Sequence, residues 1–485
     1  MRICSLVAVL VFVLFSAFAQ DFPSGKDDLS VLRRDLQRDV AAGVVPGLAI
    51  GVAKNGKILW EEGFGWANLE KRIPATENTA FYIASVTKSI TATGIMRLQE
   101  RGTISLDKPV NDFLGAAKVH SPMWNASDAT VRRVLSHTGG LTTFSRWCLP
   151  GDPQCDIDKE IKDYGVLVWP PGEVFDYSNL GYGILGKVVE RSSELSLAAF
   201  LQKEFFIPLG MKNCGFDAAS AHTAIQYDEK NHKPSSLKVS GHPGASGLHC
   251  SVHDLLQFGR FQLKESIVAR PILSAADIDE MHSPQANTHG QYGLGWWIKQ
   301  RSGHQVVYAE GGTTDSYALL ELIPSQHLAL VVIANSYAKS VNELGDKIVS
   351  TLIPGFRAVE ASTGDSAAGP QSDQAHALVG DWTGQILVHD GSVNISIKVG
   401  KDGSVLARLG DEPPALMTNV SLQPQHLYGE MPASHLIDDA AKQPIIELDL
   451  ALHGKELIGA ATSGPMPGED GDQLPHWTKL SRSGP

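Results

Sequence analysis

Apolar and polar positions change their rhythm twice along this chain, and the changes mark out its parts. In LAIGVAKNGKILWEEGFGWAN (48–68) two short apolar runs meet at Asn55-Gly56, which predicts two strands joined by a tight hairpin. From Phe81 to about Pro324 helical spacing dominates, broken by Gly- and Pro-rich loops. VVYAEGG, YALLELIP and HLALVVIAN then read as strands, followed by a helix from about Ser340 to Leu352. A helical middle framed by strands predicts one sheet assembled from the two ends of a domain.

Residues 361–375, ASTGDSAAGPQSDQA, are small, polar and aperiodic, as a linker should be. Beyond them, short alternating runs turn at Asp390-Gly391 and Asp402-Gly403, and IIELDLALHGKELIGAA repeats the pattern. This predicts a small antiparallel barrel or sandwich over 376–485, with nothing catalytic in it. At the other end, MRICSLVAVLVFVLFSAFAQ has an early arginine, an apolar run from Leu6 to Phe15 and Ala17-Phe18-Ala19. That is the layout of a secretory signal over residues 1–19, too short for a membrane span. The expected divisions are therefore 1–19, 20–360, 361–375 and 376–485.

Composition narrows the function. The 485 residues are 43% apolar with a formal charge of −12, which argues against nucleic acid or an anionic membrane surface as partner. No second stretch approaches spanning length, so stable membrane insertion is not expected after signal cleavage. Export makes disulfides expected: Cys148 and Cys155 bracket the turn-rich LPGDPQ, leaving Cys214 with Cys250 as the simplest second pair. His249 and His253 stand four residues apart without a third ligand in view, and the seventeen histidines include no HExxH. No metal or organic cofactor is expected. Gly51-x4-Gly56-Lys57 approaches a phosphate-binding loop but continues with Ile58 and a strand, so it is discarded.

The candidate chemistry lies in ASVTK (84–88). Ser85 and Lys88 are one turn apart at a helix start, where a lysine opposes the dipole. Ser-x-x-Lys also occurs at Ser105, Ser235 and Ser336. On spacing alone the Ser85 pair reads as a helix cap and a solvated lysine. Tyr177-Ser178-Asn179, the one Tyr-x-Asn in the chain, precedes an apolar helix. A phenol there can relay a proton and a carboxamide can hold an amide, or the two can simply pack and cap the loop.

ASVTK together with YSN resembles the serine penicillin-recognising enzymes, specifically the class C β-lactamase-like family with its D,D-carboxypeptidases, D-aminopeptidases and esterases. PGLAIGV (46–52), LSHTGGL (135–141), WPPGEVFDYSNLGYGILG (169–186), GASGLHCSVHDLLQFGR (244–260) and YGLGWWI (292–298) extend the resemblance over roughly residues 30–355. It implies an α/β (α+β) fold, with an antiparallel sheet flanked by helices plus a helical subdomain. The C-terminal part resembles the barrel-like accessory domains of some members. It also implies roles: Ser85 as nucleophile, Lys88 as general base, Tyr177 as proton relay, and Asn179, Gly311, Gly312 and Thr313 as substrate-binding positions. The N–H groups of Ser85 and Gly312 would form the oxyanion hole. His137 would support its loop.

One motif departs from the family pattern. Where relatives carry Lys-Thr-Gly or His-x-Gly before an Ile-Pro, this chain has Ala309-Glu310-Gly311 before Ile323-Pro324. The cation that helps bind a substrate carboxylate is replaced by Ala309, and Glu310 would repel a carboxylate if it faced the cleft. The implied activity is acyl transfer through Ser85 on an amide, lactam or ester of a small molecule or peptide, in a secreted or periplasmic setting. The alternatives are an esterase or D-amino-acid peptidase with little β-lactam turnover, and a non-catalytic binding protein on the same fold.

Overall fold

The computed structural model describes residues 29–148, 155–216, 223–228, 239–265, 271–337, 343–357, 377–388, 391–432, 445–465 and 471–483. The signal sequence and the linker at 361–375 lie outside these residues, as does Asp390.

The two ends of the first domain do meet in one sheet. β1 (Gly47–Lys54) and β2 (Lys57–Asn68) form the hairpin turned at Asn55-Gly56, both at positive φ, with the short β3 (Ile73–Pro74) beyond β2. Two small ladders lie outside the main sheet: β4 (Phe81–Tyr82) pairs with β7 (His249–Cys250), and β5 (Trp147–Cys148) with β6 (Val239–Ser240). β8 (Trp297–Arg301), β9 (His304–Thr313), β10 (Ser316–Ile323) and β11 (Leu328–Ala334) complete an antiparallel sheet of order β3-β2-β1-β11-β10-β9-β8. β1 joins β11 over Leu48↔Ala334 to Lys54↔Leu328, closing the sheet across some 280 residues of sequence.

Both faces of the sheet are covered, which explains why β11 reads as an unbroken apolar run and β10 as one broken only by Ser316 and the buried Glu321. One face packs on α1 (Ser30–Ala41) and the helix Leu344–Leu352, through Ile50, Trp60, Leu330, Val332 and Ile348. The other packs on the helix Val252–Gln262 and the helical part, through Ala49, Leu256, Leu320 and Val331. In that part α2 (Thr87–Glu100) packs on α5 (Asn179–Ser193), with α3 (Val131–Leu135) and α4 (Ile157–Tyr164) against α5. Cys148–Cys155 and Cys214–Cys250 are both disulfide-bonded, as the spacing suggested.

Beyond residue 379 every regular element among the described residues is a strand. The elements are β12 (Gly380–Val388), β13 (Gly391–Val399), β14 (Val405–Leu409), β15 (Ala415–Leu416), β16 (Thr418–Gln423), β17 (His426–Pro432), β18 (Ile445–His453), β19 (Glu456–Gly464) and β20 (Leu474–Arg482). They form a nine-stranded antiparallel, nearly closed barrel-like sheet, order β15-β14-β13-β12-β20-β19-β18-β17-β16. Its interior is filled by Trp382, Ile397, Leu448 and Leu480 among others. Among the described residues no helix is long and apolar enough to cross a membrane.

Candidate active site

The site forms where the free part of β9 meets the start of α2. β8 pairs with β9 only from Arg301↔His304 to Trp297↔Tyr308. Ala309 to Thr313 are therefore paired on one side alone, with β10, and from Glu310 onward they line a cleft of about 590 Å3. Ser85 and Tyr177 line this cleft with Gly311, Gly312 and Thr313.

Ser85 is not the first residue of α2 but sits in a 3₁₀ turn, Ala84–Val86, that runs into it. Ala84 holds φ at +42°, an unfavourable backbone for an L-residue that is fixed here by burial. Gly311 presses against the same turn. A Cβ there would lie 2.4 Å from the Ser85 nitrogen and 2.8 Å from the Ile83 oxygen, so only glycine allows the approach.

Lys88 is 2% exposed, which removes the reading of a solvated lysine. Its Nζ lies 2.9 Å from Ser85 Oγ, 2.7 Å from Asn179 Oδ1 and 3.2 Å from the Ala245 carbonyl oxygen. Burial pushes this amine well below its usual pKa. Asn179 and Ala245 offer only acceptors, so they take two N–H groups. A neutral amine then has its lone pair left for the Ser85 hydroxyl. The Tyr177 ring packs 4.7 Å from Nζ and lines the cleft beside Ser85. Burial raises the Tyr177 phenol above its ordinary value, outweighing the opposing influence of Ser85, so it stays protonated at neutral pH. The cap of α5 is Ser178, accepting from the Gly181 N–H at 3.1 Å, which leaves Asn179 for Lys88.

His137 does more than close its loop. Its Nδ1 accepts the Ser178 N–H at 3.0 Å, so the neutral ring carries its proton on Nε2, 3.2 Å from Tyr292 Oη. Burial, with Lys88 nearby, holds its pKa well below the usual histidine value. The Tyr182 ring packs against His137 as well, 5.1 Å away, and its hydroxyl donates to the Leu135 carbonyl at 2.8 Å. A chain of buried polar groups thus fixes the backbone beside Tyr177. The sequence marks both ends, in LSHTGGL and YGLGWWI, but gives no sign that they touch.

The third motif is split. Ala309 is 4% exposed, packed in the core, and is not among the residues lining the cleft. Glu310 is exposed and does line it, near enough to Tyr317 to add to the burial that raises that phenol's pKa. Thr313 Oγ1 is engaged at 2.6 Å with both Asp315 and Ser316 in the β9–β10 turn, so its part in the cleft lining is chiefly backbone. An aromatic wall of Trp297, Tyr308, Tyr317 and Tyr337 was not anticipated from the sequence, although Trp297 belongs to a family-like motif.

The other candidates go elsewhere. His249 packs 5.3 Å from the Tyr82 ring at a tilt, whereas His253 pairs with Glu61 at 2.9 Å. Lys108, the partner of Ser105, is exposed, and Ser235, Lys238 and Lys339 lie outside the described residues.

The Beta-lactamase family model matches residues 32–352. The chain belongs to the beta-lactamase family. Protein flp of Staphylococcus aureus (strain MW2) is 26% identical over 335 residues, 66% of this chain and 65% of that protein. Penicillin-binding protein 4* of Bacillus subtilis (strain 168) is 24% identical over 297 residues, 55% of this chain and 63% of that protein. The chain thus spans a little under two thirds of the length of these family relatives. Solved structures share the fold. A class C beta lactamase from Rhodobacter sphaeroides superposes with TM-score 0.55 at 21% identity, over 66% of this chain and 98% of that one. The octameric penicillin-binding protein homologue from Pyrococcus abyssi covers 94% of this chain and 100% of its own, with TM-score 0.58 at 23% identity. SurE gives TM-score 0.62 at 19% identity, over 94% of this chain and 98% of its own. The last two likenesses extend beyond the family domain into the C-terminal sheet.

Proposed function

We propose that this family member is an exported serine hydrolase working through a Ser85 acyl-enzyme. The observation that carries the reading is Lys88, a buried amine whose two other contacts are both acceptors and whose third, at 2.9 Å, is Ser85 Oγ. Neutral Lys88 takes the Ser85 proton as Oγ attacks the carbonyl carbon, giving a tetrahedral oxyanion. The N–H groups of Ser85 and Gly312 are assigned to that oxyanion. The bond to the leaving group breaks, Tyr177 protonates that group, and Lys88 restores the phenol's proton. Water then attacks the acyl carbon, its proton passing to the same base, and acid and free Ser85 result. Asn179 orients Lys88 and borders the substrate.

Of the substrates this chemistry admits, esters and amides without a carboxylate are favoured over β-lactams, because among the described residues Glu310 is the only charged one lining the cleft. That observation supports the esterase or peptidase reading. Export rests on the N-terminal apolar run and is supported by the two disulfides.

The test is intact-mass analysis after incubation with a fluorophosphonate and with a chromogenic cephalosporin, with Ser85→Ala as control. A single fluorophosphonate adduct absent from the variant, with slow cephalosporin turnover, is the expected result. Folded protein with no adduct from either reagent would instead make the chain a binding protein.

A further inference from the structure

The cleft carries a recognition surface that the acyl-transfer chemistry does not use. Glu310 lies on the unpaired stretch of β9, and among the described residues it has no ion-pair partner. Tyr317, one strand over, lies close enough that the Glu310 charge adds to the burial raising its phenol's pKa, which places the carboxylate beside that ring. Rings stand on both sides. Trp297 stacks between Tyr177 at 6.0 Å and Tyr308 at 6.4 Å, whereas Tyr317 meets Tyr337 edge-on at 6.1 Å. Of the eleven described residues lining the cleft five are aromatic and one is charged, so the field they set is that of ring faces and a carboxylate. Lys299 does reach the Tyr308 ring, at 4.1 Å, but it is paired with Glu321 and does not line the cleft.

Aromatic faces attract organic cations through their quadrupole, and a carboxylate adds a full opposite charge. A substrate carboxylate meets only repulsion here, and a purely apolar group would leave Glu310 to be desolvated without compensation. We propose that the cleft selects acyl substrates bearing an organic ammonium group, with Glu310 as the specificity-determining residue inside the wall of Trp297, Tyr308, Tyr317 and Tyr337. This inference rests on the hydrolase reading for its use in turnover, but not for binding itself.

Two isosteric pairs test it. Butyrylthiocholine and 3,3-dimethylbutyl thiobutyrate place the cation or its neutral copy in the leaving group. The p-nitrophenyl esters of 4-trimethylammoniobutyrate and 5,5-dimethylhexanoate place it in the acyl group. The readout is the ratio of kcat/KM within a pair, so a general loss of activity in a variant cancels. The expected result is a ratio of at least about 10 in favour of the cation in one pair, dropping toward 1 in Glu310→Gln and partly retained in Glu310→Asp. A ratio near or below 1 in both pairs, with turnover present, overturns the cation proposal and leaves the hydrolase reading intact.

If nothing is turned over, binding decides. Choline and 3,3-dimethylbutan-1-ol are titrated into Ser85→Ala protein by calorimetry, with and without Glu310→Gln. Choline binding that the alcohol does not share, and that the second substitution removes, supports the proposal even if the chain proves non-catalytic. Equal binding of the two, or none, overturns it.

Discussion

At Lys88 stability and chemistry pull in opposite directions. A buried ammonium with no carboxylate beside it is costly, so the fold favours the neutral amine, and the neutral amine is what a general base must be. The folded pKa lies below the unfolded value of about 10.5, so between the two the unfolded chain binds one more proton. Stability should therefore rise with pH across that window, and the burial penalty is greatest at or below the folded pKa. Activity should follow the same ionisation, with kcat/KM on a neutral ester rising to a plateau well before pH 10.5. Tyr177, its phenol held protonated, should add no falling limb in the neutral range. Lys88→Met should lose at least about 10³ in rate. At neutral pH its melting temperature should equal or exceed that of the wild type, and the gap should narrow as pH rises. A lower melting temperature for Lys88→Met by the same margin at every pH would mean that the lysine is charged in the fold.

At the scale of elements, the closeness of β9 to the Ser85 turn sets the geometry. Gly311→Ala would drive a methyl into backbone atoms of Ser85 and Ile83, so strand and turn must part. Displacement by roughly an ångström misaligns any oxyanion donors on the two elements and costs about 10²-fold in kcat. The folded core should survive, because Ala318 and Leu320 still hold β9 to β10. A Gly311→Ala protein with unchanged kcat would show that β9 takes no part in the chemistry. These elements were largely legible in the sequence: Asn55-Gly56 marked the hairpin, and apolar runs at 306–335 marked strands that must find partners elsewhere. The nucleophile and its lysine were legible as a motif whose burial no periodicity reveals. What stayed hidden was lateral. Trp297, Tyr308, Tyr317 and Tyr337 meet only because of strand register and the turns between strands, and the His137–Tyr292 contact joins residues 155 apart. Ala309 was identified as the missing cation, yet which of its neighbours faces the cleft depends on where β8 stops pairing.

Across the whole molecule, the C-terminal sheet is seated against the segment that delivers Tyr177. Val166, Val168 and Trp169 pack with Ile458, Ala460 and Trp477 in a separate apolar cluster between the two parts. Ser145 and Gln473 exchange backbone hydrogen bonds at 3.0 and 2.9 Å, and Asp472 accepts from the Trp147 N–H at 2.9 Å. Trp169 Nε1 donates to Asp176 at 2.8 Å, and Asp176 immediately precedes the catalytic tyrosine proposed here. Burial, with Asp449 and Glu447 of the C-terminal sheet adding to it, lifts the Asp176 carboxyl to about 6. The sheet that looked uninvolved in sequence therefore backs the loop from behind. Trp477→Ala removes the largest side chain that the sheet contributes to this cluster, at a cost of about 3–5 kcal/mol if the site does not collapse. Calorimetry should then show one unfolding transition separating into two, and kcat/KM should fall several-fold as Tyr177 loses its support, with fluorophosphonate labelling of Ser85 slowed alongside. A single transition with unaltered kinetics would mean that the sheet is carried by the hydrolase domain without steadying its active site.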